Sequence, residues 1–192
     1  MKFPNLFWTL LTVGCLSAVT VKSQSSDNGD GTFTNPVLWS DVPDPDVIRV
    51  GDDYYMVSTT MHLMPGAPVM HSKDLVNWKI VSYLFDTLND TPNYDLKEGT
   101  AYGRGQWATS IRFHKGKFYA YFSPNDKPFR GYVYTTDNPK KGWTLKSRIP
   151  HFHDASLFFD DDGKAYVFYG TVERTKARLE RRTAGGSGCK TV

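Results

Sequence analysis

NPVLWSDVPDPDVIRVGDDYYMVSTT, Asn35 to Thr60, sets two acids, Asp44 and Asp46, among prolines directly before an apolar run. Proline fixes its own φ and restricts the residue before it, so Pro43-Asp44-Pro45-Asp46 reads as a stiff turn. Val47 to Val50 reads as a strand, Gly51-Asp52-Asp53 as a tight turn, and Tyr54 to Ser58 as a second, aromatic strand. An acid fixed at the mouth of a strand is well placed for proton transfer.

The pattern returns twice downstream. Ser110-Ile111-Arg112-Phe113 passes through a turn at Lys115-Gly116 into Lys117 to Ser123. Ser156 to Phe159 passes through Asp160-Asp161-Asp162-Gly163 into Ala165 to Tyr169. The connectors HSKDLVNW (71–78) and YTTDNPKKGW (134–143) correspond as well. Each repeat reads as an antiparallel meander of about four short strands, and no stretch carries a helical period of useful length. Repeats of roughly 40–60 residues built from short strands point to an all-β fold of the β-propeller kind. Lys117 to Ser123 alternates as a strand with one buried face. The polar, Gly- and Asn-rich insert Phe85 to Gln106 reads as a loop between the first two repeats. Roughly two and a half blades fit before Gly170, where propellers typically use about four to eight. Beyond Gly170 the aromatics and the alternation stop, so 171–192 reads as a disordered or unrelated tail on the front part of a larger propeller.

The chain's 192 residues suit a single domain. Residues 1–23 read as a secretory signal, with Lys2 ahead of the apolar run Leu6 to Val21 and a small-x-small cleavage site at Val21-Lys22-Ser23. That run is short for a bilayer span, which needs roughly 20 apolar residues, so a secreted, extracellular protein is expected and no membrane partner. Residues 24–34 read as an N-terminal linker and 35–170 as the propeller domain. With Cys15 in the signal, Cys189 is left without a partner for a disulfide. Residues 24–170 hold 15 Lys and Arg against 18 Asp and Glu, so the formal charge of +3 comes from the two ends and nucleic acid is not an expected partner. Aromatics form 15% of the chain, which suits both a β fold and stacking on sugar rings.

Pattern alone leaves two roles open for Asp44, a turn carboxylate capping backbone amides or a catalytic group in acid–base work. Asp154 stands before the third repeat as Asp44 stands before the first, and carries the same two options; Asp46 reads as a structural residue. Trp107, at the start of the second repeat, is either a sugar-stacking platform or a packing residue, whereas Trp78 and Trp143 read as core. His151, His153 and Asp154 would make only a partial metal site, and Asp160-Asp161-Asp162-Gly163 lacks the later ligands of a calcium loop, so no metal and no cofactor is assigned.

Four segments together resemble the family 43 glycoside hydrolases, closest to the secreted β-xylosidase and α-L-arabinofuranosidase type. They are NPVLWSDVPDPDVIRVGDDYYMVSTT, GAPVMHSKDLVNWKIV, YGRGQWATSIRFHKGKFYAYFS and HDASLFFDDDGKAYVFYG, in that order across roughly 35–170. The resemblance implies a five-bladed β-propeller that hydrolyses glycosidic bonds in xylan- or arabinan-type polysaccharide with inversion, so a plant cell-wall oligosaccharide or polysaccharide is the implied partner. It implies Asp44, in its Pro-Asp-Pro context, as the general base. It implies Asp154, in HDASLF, as the residue that tunes and orients the acid. The acid itself is implied to be a Glu in a Glu-Gly context after Asp154. Here the chain departs from the pattern: Glu98 precedes Asp154, Glu173 follows it by only 19 residues, and Glu180 sits in the Arg-rich tail. An expectation of weak or absent activity follows, with a non-catalytic sugar-binding remnant as the alternative.

Overall fold

The computed structural model describes residues 25–90, 92–95, 99–170 and 187–191. The proposed signal segment and most of the tail lie outside these residues. Three antiparallel sheets follow one another in chain order. The first is β1 (Asp46–Val50), β2 (Asp53–Val57), β3 (Gly66–Ser72) and β4 (Lys79–Phe85). The second is β5 (Thr109–His114), β6 (Lys117–Phe122), β7 (Arg130–Thr136) and β8 (Thr144–Pro150). The third is β9 (Ser156–Phe159), β10 (Ala165–Gly170) and β11 (Ser187–Thr191). Within each sheet neighbours in sequence are neighbours in space, and the sheets do not close on one another. A single 3-10 turn, Pro92–Asp95, is the helical element among the described residues. The all-β expectation therefore holds.

Turn chemistry fixes the registers. Gly51, at φ 62°, opens the two-residue turn that sets Val50 opposite Asp53. Lys115 and Gly116, both at positive φ, make the turn that sets His114 opposite Lys117, the pattern a tight hairpin requires. Asp160 to Lys164 closes the third hairpin, with the Gly163 amide donating to the Asp160 carbonyl at 3.0 Å.

The second sheet is the middle layer. Phe118, Ala120, Phe122, Tyr132 and Tyr134 pack with Tyr55, Val57, Val69, Leu84 and Phe85 of the first sheet. Tyr121 and Val133, on the opposite side, pack with Leu157 and Val167 of the third. This corrects the expectation for Lys117 to Ser123: Tyr121 and Phe122 are both fully buried, because neighbouring sheets cover both faces of β6. Trp143 packs on the core as expected, while Trp78 is half-buried and ties its Nε1 to the Leu75 carbonyl at 2.8 Å.

One hydrogen bond joins successive sheets at matching positions. Asp46, opening β1, accepts the Ile111 amide of β5 at 2.9 Å. Ser110, in β5, accepts the Leu157 amide of β9 at 3.1 Å. Described residues of the insert after β4 pack onto the sheets. Leu88, Tyr94 and Ala101 are buried in the core between the first two sheets. Asp90 takes Arg148 through Nε at 2.8 Å and Nη2 at 2.7 Å, and the Tyr132 hydroxyl at 2.7 Å.

Two segments outside the expected repeats carry structure of their own. Residues 25–34, expected as a linker, double back: Asp27 bridges Phe33, and buried Ser26 donates to the Pro36 carbonyl at 2.6 Å. Gly29 and Gly31, at φ 78° and 86°, supply the reversal. In the expected structureless tail, Ser187–Thr191 pairs with β10 from Tyr166↔Thr191 to Gly170↔Ser187. An open sheet edge offers unpaired backbone groups to any extended segment that reaches it, with no side-chain alternation needed.

Candidate active site

The segments that lead into β1, β5 and β9 converge. A cavity of about 270 Å³ is lined by three matching triplets: Asp44-Pro45-Asp46, Ala108-Thr109-Ser110 and Asp154-Ala155-Ser156. The two acids singled out in the sequence, 110 positions apart, therefore share one cavity. They also share a backbone conformation. Asp44 has φ 48° and Asp154 φ 43°, the left-handed region that non-glycine residues visit sparingly and Asp more readily than most. The middle triplet carries Ala108 where the others carry an acid, leaving a methyl in place of a third carboxylate.

Asp44 is held from behind. The Pro43 carbonyl accepts the Ser58 hydroxyl at 2.6 Å and the Thr59 amide at 3.0 Å. The Thr59 hydroxyl donates to Asp44 Oδ2 at 2.8 Å. Asp154 is freer: its side chain is 55% exposed and meets His153 Nε2 at 3.2 Å. Burial, then the neighbouring His153, holds the His151 pKa below its ordinary value. Asp46, which also lines the cavity, is tied through Oδ2 to the Ile111 amide and to Arg112 Nη1, the latter at 2.6 Å. That matches its reading as a structural residue.

Trp107 does not line the cavity. Its half-buried ring lies 5.8 Å from the His153 ring, and its Nε1 donates to the Gly103 carbonyl at 3.0 Å. It thus buttresses the wall next to Ala108 and Asp154. Among the described residues no three His, Cys, Asp or Glu gather as metal ligands. Glu98, Glu173 and Glu180 lie outside the described residues. A larger cavity of about 460 Å³ is lined by Val42, Pro68, Met70 and Ile80 and also by Pro43, Ser58 and Thr59, so it abuts the residues that hold Asp44. Its walls are mainly aliphatic, and it lacks the paired acids.

Sequence reasoning did not single out Ser58, Thr59 or Gln106. Gln106 is fully buried and carries hydrogen bonds on both ends of its amide. The available signal was positional: Ser58-Thr59-Thr60 interrupts an apolar strand, and Gln106 stands where the insert ends.

A model of the glycosyl hydrolases family 43 matches residues 33–184. A β-xylosidase from Formosa agariphila is 36% identical over 157 residues, 78% of this chain and 26% of that protein. A non-reducing end α-L-arabinofuranosidase from Bacteroides ovatus is 37% identical over 138 residues, 70% of this chain and 25% of that protein. The chain thus spans about a quarter of the length of the curated relatives it matches. Among solved structures, a bifunctional GH43-CE protein from Bacteroides eggerthii superposes with TM-score 0.67 at 48% identity, covering 71% of this chain and 18% of that one.

Proposed function

The chain belongs to glycosyl hydrolases family 43, and from that premise we propose that it carries the base-bearing part of an inverting glycosidase for xylan- or arabinan-type polysaccharide. The observation behind the proposal is the pairing of Asp44 and Asp154 in one cavity, in one backbone conformation, at the mouths of different sheets. The three sheets are then the opening part of a five-bladed propeller, the cavity lies near its axis, and the protein is secreted.

The chemistry follows from what each acid can do. Inversion needs a base that takes a proton from water as its oxygen attacks the anomeric carbon. It also needs an acid that protonates the departing glycosidic oxygen, with the two carboxyl groups about 6.5–9.5 Å apart. Asp44, with Oδ2 engaged by Thr59, presents its other oxygen to such a water and is the base. Asp154 contributes negative charge beside the leaving-group side and so favours the protonated form of the acid. Trp107 supports the wall next to Asp154. Glu98 is followed by a Gly but precedes Asp154, and neither Glu173 nor Glu180 is followed by one, which favours, as a second reading, sugar binding without turnover by this chain.

Release of 4-nitrophenol from the β-xyloside and the α-L-arabinofuranoside tests the proposal, because a good leaving group departs with little protonation and turnover then reports the base. Slow turnover that Asp44→Asn removes is the expected result. Turnover unchanged in Asp44→Asn would refute the assignment of the base. Saturable xylo-oligosaccharide binding with no turnover on either substrate selects the second reading.

A further inference from the structure

The geometry points to Gln106 as the positioning residue for Asp44, acting through Thr59. The inference deepens the proposed function and rests on Asp44 as the base.

Gln106 connects three segments. Its Oε1 accepts both the Thr60 amide at 2.7 Å and the Thr60 hydroxyl at 2.9 Å. Its Nε2 donates to the carbonyls of Ser58, at 3.3 Å, and Trp107, and to the Thr109 hydroxyl. Its backbone pairs both ways with Met61, at 2.8 and 2.6 Å. One side chain therefore grips the end of β2 on both sides of Thr59 and fastens it to the mouth of β5. Thr59 is the residue whose hydroxyl sits on Asp44 and whose amide holds the Pro43 carbonyl. The carboxylate's direction is set from Gln106 through Thr59.

The chain's local shape is built around this contact. A Cβ on Gly105 would lie 1.9 Å from the Met61 carbonyl oxygen, so that residue must stay a glycine for the loop to close on Met61. A fully buried amide with both ends satisfied is costly to assemble and holds its partners rigidly once complete. Three acceptors crowd two amide hydrogens, so Nε2 shares one between neighbours. Of these, Thr109 lines the acid cavity and Trp107 adjoins Ala108 of its wall.

The test compares Gln106→Leu, Thr59→Val, their combination and the rescue variant Thr59→Ser, all in the full chain. Activated aryl xyloside turnover is one readout, and amide hydrogen exchange at Thr59 is the other. Gln106→Leu and Thr59→Val should each lower kcat by about 10²-fold, the usual cost of a reacting group misplaced by about 1 Å, with KM nearly unchanged. The double variant should fall no further than the lower single, since both cut one connection. Thr59→Ser should retain turnover. Exchange at the Thr59 amide should rise about tenfold in Gln106→Leu, the scale of one lost hydrogen bond, and stay unchanged in Asp44→Asn. A Gln106→Leu chain that folds and keeps Thr59 protected overturns the inference, as does a rise in KM with kcat intact. Should Gln106→Leu fail to fold, Thr109→Val must shift both readouts in the same direction by less, and an unmoved result overturns the inference. If Asp44→Asn turns over normally, the base assignment fails and exchange alone judges whether Gln106 holds Thr59. If the chain shows no turnover at all, exchange judges it in the same way.

Discussion

At the mouth of the first sheet, Asp44 takes the Thr59 hydroxyl on one oxygen at 2.8 Å, between two prolines. At the mouth of the third, Asp154 meets His153 at 3.2 Å and leaves more than half its side chain in solvent. The backbones match to within a few degrees of φ, 48° against 43°. What differs is the support: Asp44 is braced by Ser58 and Thr59, just past the end of β2, whereas Asp154 leans on its sequence neighbour. A carboxylate that must aim at a water needs fixed direction, and one that acts by its charge does not. The two mouths therefore teach that a repeat can copy a backbone conformation while holding the side chains differently, and the proposed base and charge roles would divide along that line.

The largest expected effect tests this division directly. With an aryl glycoside that needs no acid, Asp44→Asn should lower turnover by about 10²–10⁴-fold, the range for one proton-transfer group. Asp154→Asn should lower it far less, because its charge matters chiefly to protonation of a poor leaving group. Initial rates for the two purified variants check this. Equal losses would mean that both acids touch the reacting atoms, and a reversed order would exchange their roles.

The joints between sheets give the next contrast. Asp46 links the first two sheets with a charged bond to Ile111 and Arg112, while Ser110 links the second and third with a neutral one to Leu157. Removing a charged acceptor leaves a part-buried amide and guanidinium without it, so Asp46→Ala should cost about 2–3 kcal/mol. Ser110→Ala should cost about 1 kcal/mol. Urea unfolding of both variants measures the difference, and equal costs would show that the Arg112 charge adds nothing at this joint.

Much of this was legible in the sequence where local chemistry dictates it. The repeated strand, Gly-containing turn and aromatic strand fixed the three hairpins, and Asp44 and Asp154 were legible as matched positions before two of them, while their shared cavity came only with the structure. The family resemblance supplied their suggested roles. What was not legible depends on non-local contacts. The double-sided burial of β6 follows from having a sheet on each side, which periodicity within one strand cannot reveal. Gln106 reaches Thr60 and Ser58 across 46 and 48 positions, and a glutamine at the end of a polar insert reads as one more loop residue. The pairing of Ser187–Thr191 depends on the free edge of β10, which leaves no trace in the tail's own composition.

The smallest effect separates the same regions by pH. Asp90 pins the insert between the first two sheets, and its carboxyl is held below the usual range first by the Arg148 bond and then by Tyr132, against the cost of burial. A lowered acid pKa means that this pin is complete above the unfolded value near 3.8 and is lost only as pH falls through the lower folded value. His151 leads into the third sheet beside Phe129, His153, Asp154 and the Pro124 carbonyl, and burial lowers its pKa below 6.5. Here the folded chain favours neutral imidazole, so its contribution is complete above 6.5, weakens as pH drops below that value, and levels off once the folded imidazole also takes a proton. Acidification from pH 7 to 5 should therefore loosen the segment before β9 while the insert stays pinned. Two probes report the order. The Phe152 amide is held by Tyr121 Oη at 3.1 Å, and the Arg148 Nε–H by Asp90 at 2.8 Å. Exchange at Phe152 should quicken between pH 7 and 5, and exchange at Arg148 Nε, corrected for its intrinsic pH dependence, only below about pH 4. His151→Leu should abolish the first change and leave the second. Simultaneous loosening of both probes, or a His151→Leu chain that still loosens at Phe152 by pH 5, would mean that some other group governs the mouth of the third sheet.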